Sequence, residues 1–500
     1  MPAFDPRHPH VTTRAGLGLV TACLLLTTAC GSRLDLTHSQ RQAAAQSALG
    51  NNSAAVGTGG GTGGMTGLTA APQGPGATAA PGGGASGTTG GGTSTGGASS
   101  SGATGTTGSI KPGASLPPGG NGGATDVGVT ATSITVGNVS DLSGPVPGLF
   151  QGAVNGTEAY LAYVNSQGGI DGRQIKLQAA DGQTDCTANQ SAHASEIDDV
   201  FAFVGSFSLY DDCGTQVVAA HPDVPDVSFA LGERTQKNTV NQFSPQYLPT
   251  GGATGPFCYL AKKYPDAVKA VGSLYANIPS AVASQKAIEK AAAQCGWKWL
   301  DSIPVGATDT TFNAQINRMR SDGVKIVFEV ATTLPSMAEM KKEADAQTWK
   351  PLWLAPVAYG SSFFELMGSS AAAEGVIGYN LYSLFLGQDE AARIPEVALF
   401  QQWMKRVHPE APIDLFSMYG WGSAKLFAAQ AKAAGPRLTR KSFLAAIRGV
   451  HNYDADKLFA PSDIGGHQPG HCYVLWQAHN GAFSRLDSPG YRCDGRFVRA

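Results

Sequence analysis

Residues 51–125 constrain the fold more than any other feature of this sequence, because they hold one charged side chain, Lys111, among mainly Gly, Ser, Thr, Ala and Pro. A segment of this kind lacks the apolar surface whose burial would offset the entropy cost of ordering it. It contributes much of the glycine, 65 of 500 residues, and explains the low charged fraction of 14%. We therefore expect residues 31–125 to be a disordered tether and residues 126–500 to form the folded core.

The charge of this core argues against a nucleic-acid partner. Taking the five basic and two acidic residues before position 126 from the totals of 35 and 37 leaves 30 basic and 35 acidic residues, a net charge of −5. A mildly acidic chain with scattered Lys and Arg lacks the basic stripe that neutralises phosphates.

The first 30 residues have the pattern of a signal peptide. Arg7 and Arg14 precede an apolar run at 15–29 that is too short to span a bilayer. We therefore expect the core to be exported to the extracytoplasmic side of a membrane, either at the cell surface or in a periplasm.

The end of the apolar run resembles the lipobox of bacterial lipoproteins. Residues 26–31 read Leu-Thr-Thr-Ala-Cys-Gly, which implies that Cys30 becomes a lipidated N-terminus and anchors the chain to the membrane. Thr27 departs from the lipobox pattern, which prefers Leu three residues before the Cys. Two alternatives are lipidation at Cys23, after a very short apolar run, and cleavage near Ala29 without lipidation.

The core contains an even number of cysteines, as expected of an exported chain with disulfides: Cys186, Cys213, Cys258, Cys295, Cys472 and Cys493. Six cysteines allow 15 pairings, of which we expect the sequential one. The alternative is a metal site formed by His467, His471, Cys472 and Cys493. The glycines and Pro469 between these residues would break the helix that such a spacing requires.

From residue 126 onward, strand-like and helix-like segments alternate. The predicted strands are 134–137, 175–177, 201–204, 270–275, 326–330 and 351–355, and the clearest predicted helices are 152–165, 281–294 and 312–320. Repeated βα units predict parallel sheets with helices on both faces. Ligands of such sheets bind beyond the carboxyl ends of the strands, so the loops that follow the strands are the candidate site.

Separated motifs in this core carry a family resemblance. Leu-Ser-Gly-Pro at 142–145, Asn-Gly at 155–156, Gly-Gly-Ile-Asp-Gly at 168–172, Phe-Val-Gly at 203–205 and Tyr-Val-Leu-Trp-Gln at 473–477 occur in the expected order. Together they resemble the type I periplasmic solute-binding proteins of the branched-chain amino-acid class, the binding components of ABC importers. The resemblance covers residues 126 to about 495, and Cys186 and Cys213 fall where some family members have a disulfide.

The resemblance implies an α/β clamshell of two lobes, each a parallel sheet with helices on both faces, joined by three crossings near residues 244–250, 379–383 and 452–459. Lobe 1 would comprise 126–247 and 383–452, and lobe 2 would comprise 248–382 and 453–500. Such a protein captures a small solute between its lobes, closes by hinge motion and delivers the solute to a membrane permease. The resemblance also implies a monomer that has no cofactor and no enzymatic activity.

Carried over position by position, the resemblance also implies a ligand site at the strand ends. The expected ligand-binding residues are Leu149, Ser206, Ser208, Tyr210, Ala230, Leu231, Tyr275, Asn277, Thr332 and Tyr359. Backbone N–H groups and hydroxyls there would hold a carboxylate or an amide.

One departure from the family bears on the solute. Members that bind amino acids tend to place an acidic residue near Val357, and this sequence has no carboxylate between Asp345 and Glu365. An unpaired buried ammonium would cost several kcal/mol, so the sequence favours an amide or a simple acid over a zwitterionic amino acid. Glu329 lies one strand residue too early, and would substitute only if the register were shifted.

Other functions have weaker support. A Gly-x-Gly-x-x-Gly match at 59–64 lies within the expected tether with no strand before it. His193 and His221 have no accompanying nucleophile motif, which argues against a hydrolase. The stronger alternative is a surface lipoprotein of the same fold that senses a ligand and signals without transport, and the tether is compatible with either role.

Overall fold

A computed structural model describes residues 117–144, 147–230, 234–247, 251–277, 279–306 and 309–499. The predicted signal peptide, Cys30 and nearly all of the tether lie outside these residues, as does Leu231. Within the described ranges, no helix is both long and apolar enough to cross a membrane.

The strands and helices alternate along most of the chain. The strands are β1 (Ser133–Ser140), β2 (Gln174–Asp181), β3 (Ala202–Val204), β4 (Asp226–Val227), β5 (Gln242–Phe243), β6 (Gly251–Ala253), β7 (Val271–Ala276), β8 (Trp299–Val305), β9 (Ile326–Val330), β10 (Leu352–Leu354), β11 (Ile377–Asn380), β12 (Val474–His479), β13 (Ala482–Arg485) and β14 (Phe497–Arg499). The helices are α1 (Gln151–Ser166), α2 (Cys186–Glu196), α3 (Asp211–Ala220), α4 (Arg234–Lys237), α5 (Gly255–Lys263), α6 (Pro279–Ala293), α7 (Asn313–Ser321), α8 (Leu334–Ala346), α9 (Phe363–Met367), α10 (Ser370–Ala373), α11 (Gln388–Ala391), α12 (Pro395–Val407), α13 (Leu415–Ala433) and α14 (Arg440–Arg448).

The first sheet is wholly parallel, with strand order β2-β1-β3-β4-β5. Helices cover both of its faces: Val139 and Phe203 pack with residues of α3 on one side, and Val136 and Val204 belong to the core that includes α1 and α13. This arrangement confirms the α/β class predicted from the alternating segments.

Helices α1 and α13 pack closely because small residues lie at their contact. A Cβ atom at Gly156 would lie 1.8 Å from the carbonyl oxygen of Ser417, and one at Gly420 would lie 2.1 Å from that of Ala153. A side chain at either position would therefore force the helices apart, which explains the Asn-Gly motif in the first helix.

The second sheet is mixed, with strand order β13-β12-β11-β10-β9-β7-β8. Its strands from β8 to β11 are parallel, whereas β12 pairs antiparallel with β11 and forms a hairpin with β13. This sheet thus departs from the wholly parallel sheet expected of each lobe. Helices α5 and α6 pack on one face, and α7 and α8 pack on the other. Strands β6 and β14 form a separate two-stranded sheet.

The chain passes between the two large sheets three times. It leaves the first sheet after β5, runs from β11 of the second sheet into α12 and α13, which pack on α1, and returns after α14 to β12. Two large sheets with helices on both faces and repeated passages match the expected two-lobe architecture. The residue limits of the lobes remain a prediction.

Three disulfides lie in the described core. They join Cys186 to Cys213, Cys258 to Cys295 and Cys472 to Cys493, which is the sequential pairing, with Cα–Cα distances of 5.5, 4.9 and 4.0 Å. Because Cys472 and Cys493 are joined to each other, they do not supply thiolates to the alternative metal site.

Candidate functional site

The loop after β3 carries three of the expected ligand-binding residues, and two of its hydroxyls already have protein partners. Ser206 Oγ accepts a hydrogen bond from the Val139 N–H at 3.1 Å. Ser208 Oγ donates to Asp141 Oδ1 at 2.9 Å and accepts from the Tyr210 N–H at 2.9 Å. Tyr210 is the exposed member, with 44% of its surface accessible. Ser206 and Ser208 therefore shape the loop, and Tyr210 is the side chain available to a solute.

Asp141, which the sequence analysis did not single out, holds this loop against the end of β1. Its side chain is fully buried, and its Oδ2 accepts the Leu209 N–H at 2.9 Å. Burial raises the pKa of Asp141, while the hydrogen bonds from Leu209 and Ser208 oppose that shift. The only local signal was an acidic residue directly after a buried strand.

Two apolar residues expected in the site are buried at the strand ends of the first sheet. Leu149 is 5% exposed, and Ala230 is 3% exposed. Both side chains belong to the buried apolar core.

The second sheet supplies two of the expected residues at the end of β7. Tyr275 is half-buried at the end of the strand, and Asn277 is exposed, with its N–H bonded to the carbonyl of Val305 at 2.8 Å. The amide side chain of Asn277 thus lies at a strand end, as the βα pattern predicted.

Tyr359 lies in a packed aromatic cluster. It is 4% exposed, and its ring centroid lies 4.7 Å from that of Phe483 and 5.4 Å from that of Phe385. The hydroxyl accepts the Leu386 N–H at 3.0 Å. Burial raises the pKa of Tyr359 far above its ordinary value, so the phenol stays neutral.

A chain of five aromatic rings connects the strand ends of the two sheets. We call Phe207, Phe229, Tyr419, Tyr382 and Tyr359 the aromatic chain; successive centroids are 5.6, 3.7, 6.4 and 6.1 Å apart. The first two rings follow β3 and β4, and the last follows β10. The structure thus brings together loops of the expected site that are far apart in sequence.

Glu329 lies much closer to Val357 than its sequence position suggests. It is fully buried near the end of β9, its Oε1 accepts the N–H of Thr332 at 2.6 Å and the hydroxyl of Thr332 at 2.8 Å, and the Val357 N–H lies close enough to lower its pKa. Ala331, at φ 57°, turns the backbone so that Thr332 points back at this carboxylate. A carboxylate therefore does lie beside Val357, which removes the ground for disfavouring an amino acid.

The second oxygen of Glu329 has a different environment. Among the described residues, Oε2 has no hydrogen-bond partner. Burial raises the pKa of Glu329 to about 7, although the hydrogen bonds from Thr332 and the nearby Val357 N–H lower it. Near neutral pH this group can either donate a hydrogen bond as an acid or pair with a cation as a carboxylate.

Replacing Glu329 by Gln should flatten part of the dependence of stability on pH. The folded state of the wild type binds the Glu329 proton more tightly than the unfolded chain, so stability is lost as the pH rises from the unfolded pKa of 4.5 through about 7. A shift of this size corresponds to roughly 3 kcal/mol. In denaturant titrations, we expect the free energy of unfolding of Glu329→Gln relative to that of the wild type to rise by up to that amount between pH 5 and pH 8.

The control is Glu339→Gln, which alters a glutamate on α8 whose side chain is 43% exposed. Its stability profile should run parallel to that of the wild type. Parallel profiles for Glu329→Gln and the wild type would show that the buried carboxyl does not titrate in this range.

A family model described as a periplasmic binding protein matches residues 133–482. This match covers most of the chain and includes both large sheets, so the chain belongs to the periplasmic binding protein family. The family consists of binding proteins rather than enzymes, and its name places its members outside the cytoplasm. A comparison with curated proteins gave no match.

Solved structures of similar fold include three solute-binding proteins. One is a fatty acid ABC transporter substrate-binding protein from Thermomonospora curvata, at 18% identity and a TM-score of 0.54, covering 75% of this chain and 95% of that one. A branched-chain amino acid ABC transporter protein from Thermus thermophilus with bound valine has 16% identity and a TM-score of 0.57, covering 72% and 96%. An R. palustris solute-binding protein in complex with 4-hydroxybenzoate has 14% identity and a TM-score of 0.56, covering 73% and 98%. At these identities the similarity establishes the fold.

Proposed function

We propose that this protein is an extracytoplasmic lipoprotein that captures a small solute between two lobes and delivers it to an ABC importer. The observation that carries the proposal is the aromatic chain, which links loops at the carboxyl ends of strands in both large sheets. Ligands of parallel α/β sheets bind at this edge, and closure of two lobes around such an edge is a known hinge mechanism. Lipidation at Cys30 would anchor the chain, and the tether would carry the lobes away from the membrane.

The solute is a small carboxylate or amide, and amino acids are included. The ligands named for three proteins of similar fold, a fatty acid, valine and 4-hydroxybenzoate, all carry a carboxyl group. Glu329 is compatible with either kind of solute, because the neutral acid can donate to a carboxylate and the ionised form can pair with an ammonium group. Tyr210 and Asn277, which are exposed, and Tyr275, which is half-buried, supply further polar groups.

The test is the melting temperature of the full-length protein against a panel of solutes. The panel contains branched-chain amino acids, aromatic and short-chain acids, amides and urea. A solute present at 100 times its dissociation constant adds about 2.7 kcal/mol of stability, which raises the melting temperature by a few degrees in a protein of this size. A hit among branched-chain amino acids would favour Glu329 as the ammonium partner, and a hit among simple acids would favour it as a hydrogen-bond donor.

The site itself is tested with the triple variant Tyr210→Ala, Tyr275→Ala and Asn277→Ala, which removes two exposed side chains and the half-buried ring of Tyr275. We expect at least a tenfold higher dissociation constant for the solute found in the panel. Leu300→Ala, at an exposed position of β8, is the control and should bind like the wild type. Unchanged affinity in the triple variant, or no stabilisation by any solute of the panel, would contradict the proposal.

A further inference from the structure

A cavity separate from the strand-end loops lies beside the segments that connect the two sheets. It has a volume of about 380 Å³, which is within the range of small-molecule sites. Its wall is formed by Ser383, Glu390, Arg393, Ile394, Asp454, Lys457, Arg485, Pro489, Gly490 and Tyr491. We call it the crossing cavity.

Charged groups in and behind this wall largely neutralise one another. Arg485 lies 2.7 Å from Asp487 and 3.5 Å from Glu390, and Arg393 approaches the same oxygen of Glu390 at 4.0 Å. The side chains of Glu390, Arg485 and Asp487 are 2%, 6% and 0% exposed. Asp454 and Lys457 add one charge of each sign to the wall, so its cationic and anionic side chains balance and the cavity has no net attraction for a charged ligand.

One acceptor in the wall remains unused. Glu390 directs Oε1 to both arginines, whereas its Oε2 is buried and has no hydrogen-bond partner among the described residues. A buried carboxylate oxygen without a donor is costly, and such a group in a cavity wall calls for a donor from a ligand. Asp454, half-buried in the same wall, provides a second carboxylate.

The backbone around the cavity is held in one unusual conformation. Ala455, Asp456 and Lys457 have φ angles of 50°, 56° and 71°, a run of left-handed residues that costs free energy at each position. The Ser383 hydroxyl donates to the Lys457 carbonyl at 2.6 Å, and the Tyr491 hydroxyl donates to the Leu458 carbonyl at 2.9 Å. The first contact joins the second and third passages of the chain, and the second fixes Tyr491 to the third passage, so the cavity is built on a fixed frame.

We propose that the crossing cavity is a second binding site that takes a small neutral polyhydroxylated molecule, of the size of a monosaccharide or a sugar alcohol. A hydroxyl group can donate to Glu390 Oε2 or Asp454 and also accept from Arg393 or Lys457, which a pure donor or a pure acceptor cannot do. The ring of Tyr491 and the side chains of Ile394 and Pro489 offer apolar surface to the carbon skeleton.

The experiment is isothermal titration of the full-length protein with glucose, myo-inositol, xylitol and glycerol. Putrescine and glycine betaine serve as cationic and zwitterionic comparators. We expect saturable binding of at least one polyhydroxylated compound and no binding of either comparator. Glu390→Gln should raise the dissociation constant at least tenfold, because the amide replaces one acceptor oxygen with a donor.

The matched control is Glu396→Gln, since Glu396 is similarly buried but donors occupy both of its oxygens, from Trp421 and Lys425 at 2.7 Å each. This variant should bind the compound within threefold of the wild type. Asp454→Asn, at a half-buried position, is a second probe of the wall and should also weaken binding. It keeps the test decisive if Glu390→Gln fails to fold. The proposal is overturned if no polyhydroxylated compound binds, if a comparator binds instead, or if the folded wall variants bind as tightly as the wild type.

Discussion

Replacing Arg234 by Met is expected to lower the free energy of unfolding by about 3–5 kcal/mol. Arg234 begins α4, just after the β4 loop that carries Ala230, and its side chain is 5% exposed. Its Nε lies 2.9 Å from Asp211 and its guanidinium lies 2.9 Å from Asp226, whose side chain is 1% exposed. Methionine would fill much of the space and leave Asp226 buried without its cation, and that uncompensated charge is the main cost.

The measurement is urea denaturation of the wild type and the variant at pH 7. Lys342→Met is the control, because Lys342 and Glu339 form a pair that is 44% and 43% exposed at 3.8 Å, and removing it should cost less than about 1 kcal/mol. Equal stabilities of Arg234→Met and Lys342→Met would show that the buried network contributes no more than a surface pair.

Replacing Tyr419 by Ala should have a comparable effect, a loss of about 3–5 kcal/mol. Tyr419 is 3% exposed and is the central ring of the aromatic chain. Its centroid lies 3.7 Å from that of Phe229, 5.8 Å from that of Phe459 and 6.3 Å from that of Phe207. Alanine would leave a cavity between these rings, because residues on two sides of it are fixed by their own strands and helices.

Tyr419→Phe separates the ring from the hydroxyl. The hydroxyl donates to the side-chain oxygen of Gln246 at 3.3 Å, so this variant should lose only about 1 kcal/mol. Thermal unfolding of both variants distinguishes the two contributions. If Tyr419→Phe proved as unstable as Tyr419→Ala, the hydrogen bond rather than the packed ring would hold this region together.

The strands and helices could be predicted closely from local patterns. The segment 326–330 was predicted as a strand and is β9, and the predicted helix 281–294 is observed as Pro279–Ala293. The Gly-Gly-Ile-Asp-Gly motif at 168–172 forms a turn with positive φ angles at Gly168, Gly169 and Gly172. Hydrophobic period and turn residues are properties of neighbouring positions, so they can be recognised from the sequence without the tertiary structure.

The hydrogen-bond partners of the candidate site residues could not be predicted in the same way. The family resemblance implies that Ser206 and Ser208 bind the solute, but their hydroxyls bond to Val139 and Asp141, which lie 67 positions earlier in the chain. Likewise, Glu329 and Val357 are separated by a helix and a strand, and only the parallel pairing of β9 with β10 brings them into contact. No local sequence pattern predicts contacts between residues so far apart in the chain.

The sequence alone therefore determined the α/β class, the family resemblance and the strand ends as the place to look for a ligand, because alternating apolar periods and glycine turns act over a few residues. The tertiary structure decided which polar atoms at those ends are already engaged. It also placed the carboxylate of Glu329 beside Val357 and left one buried oxygen of Glu390 without a partner among the described residues. These outcomes depend on contacts between distant segments, which form only when the sheets and their connections are assembled.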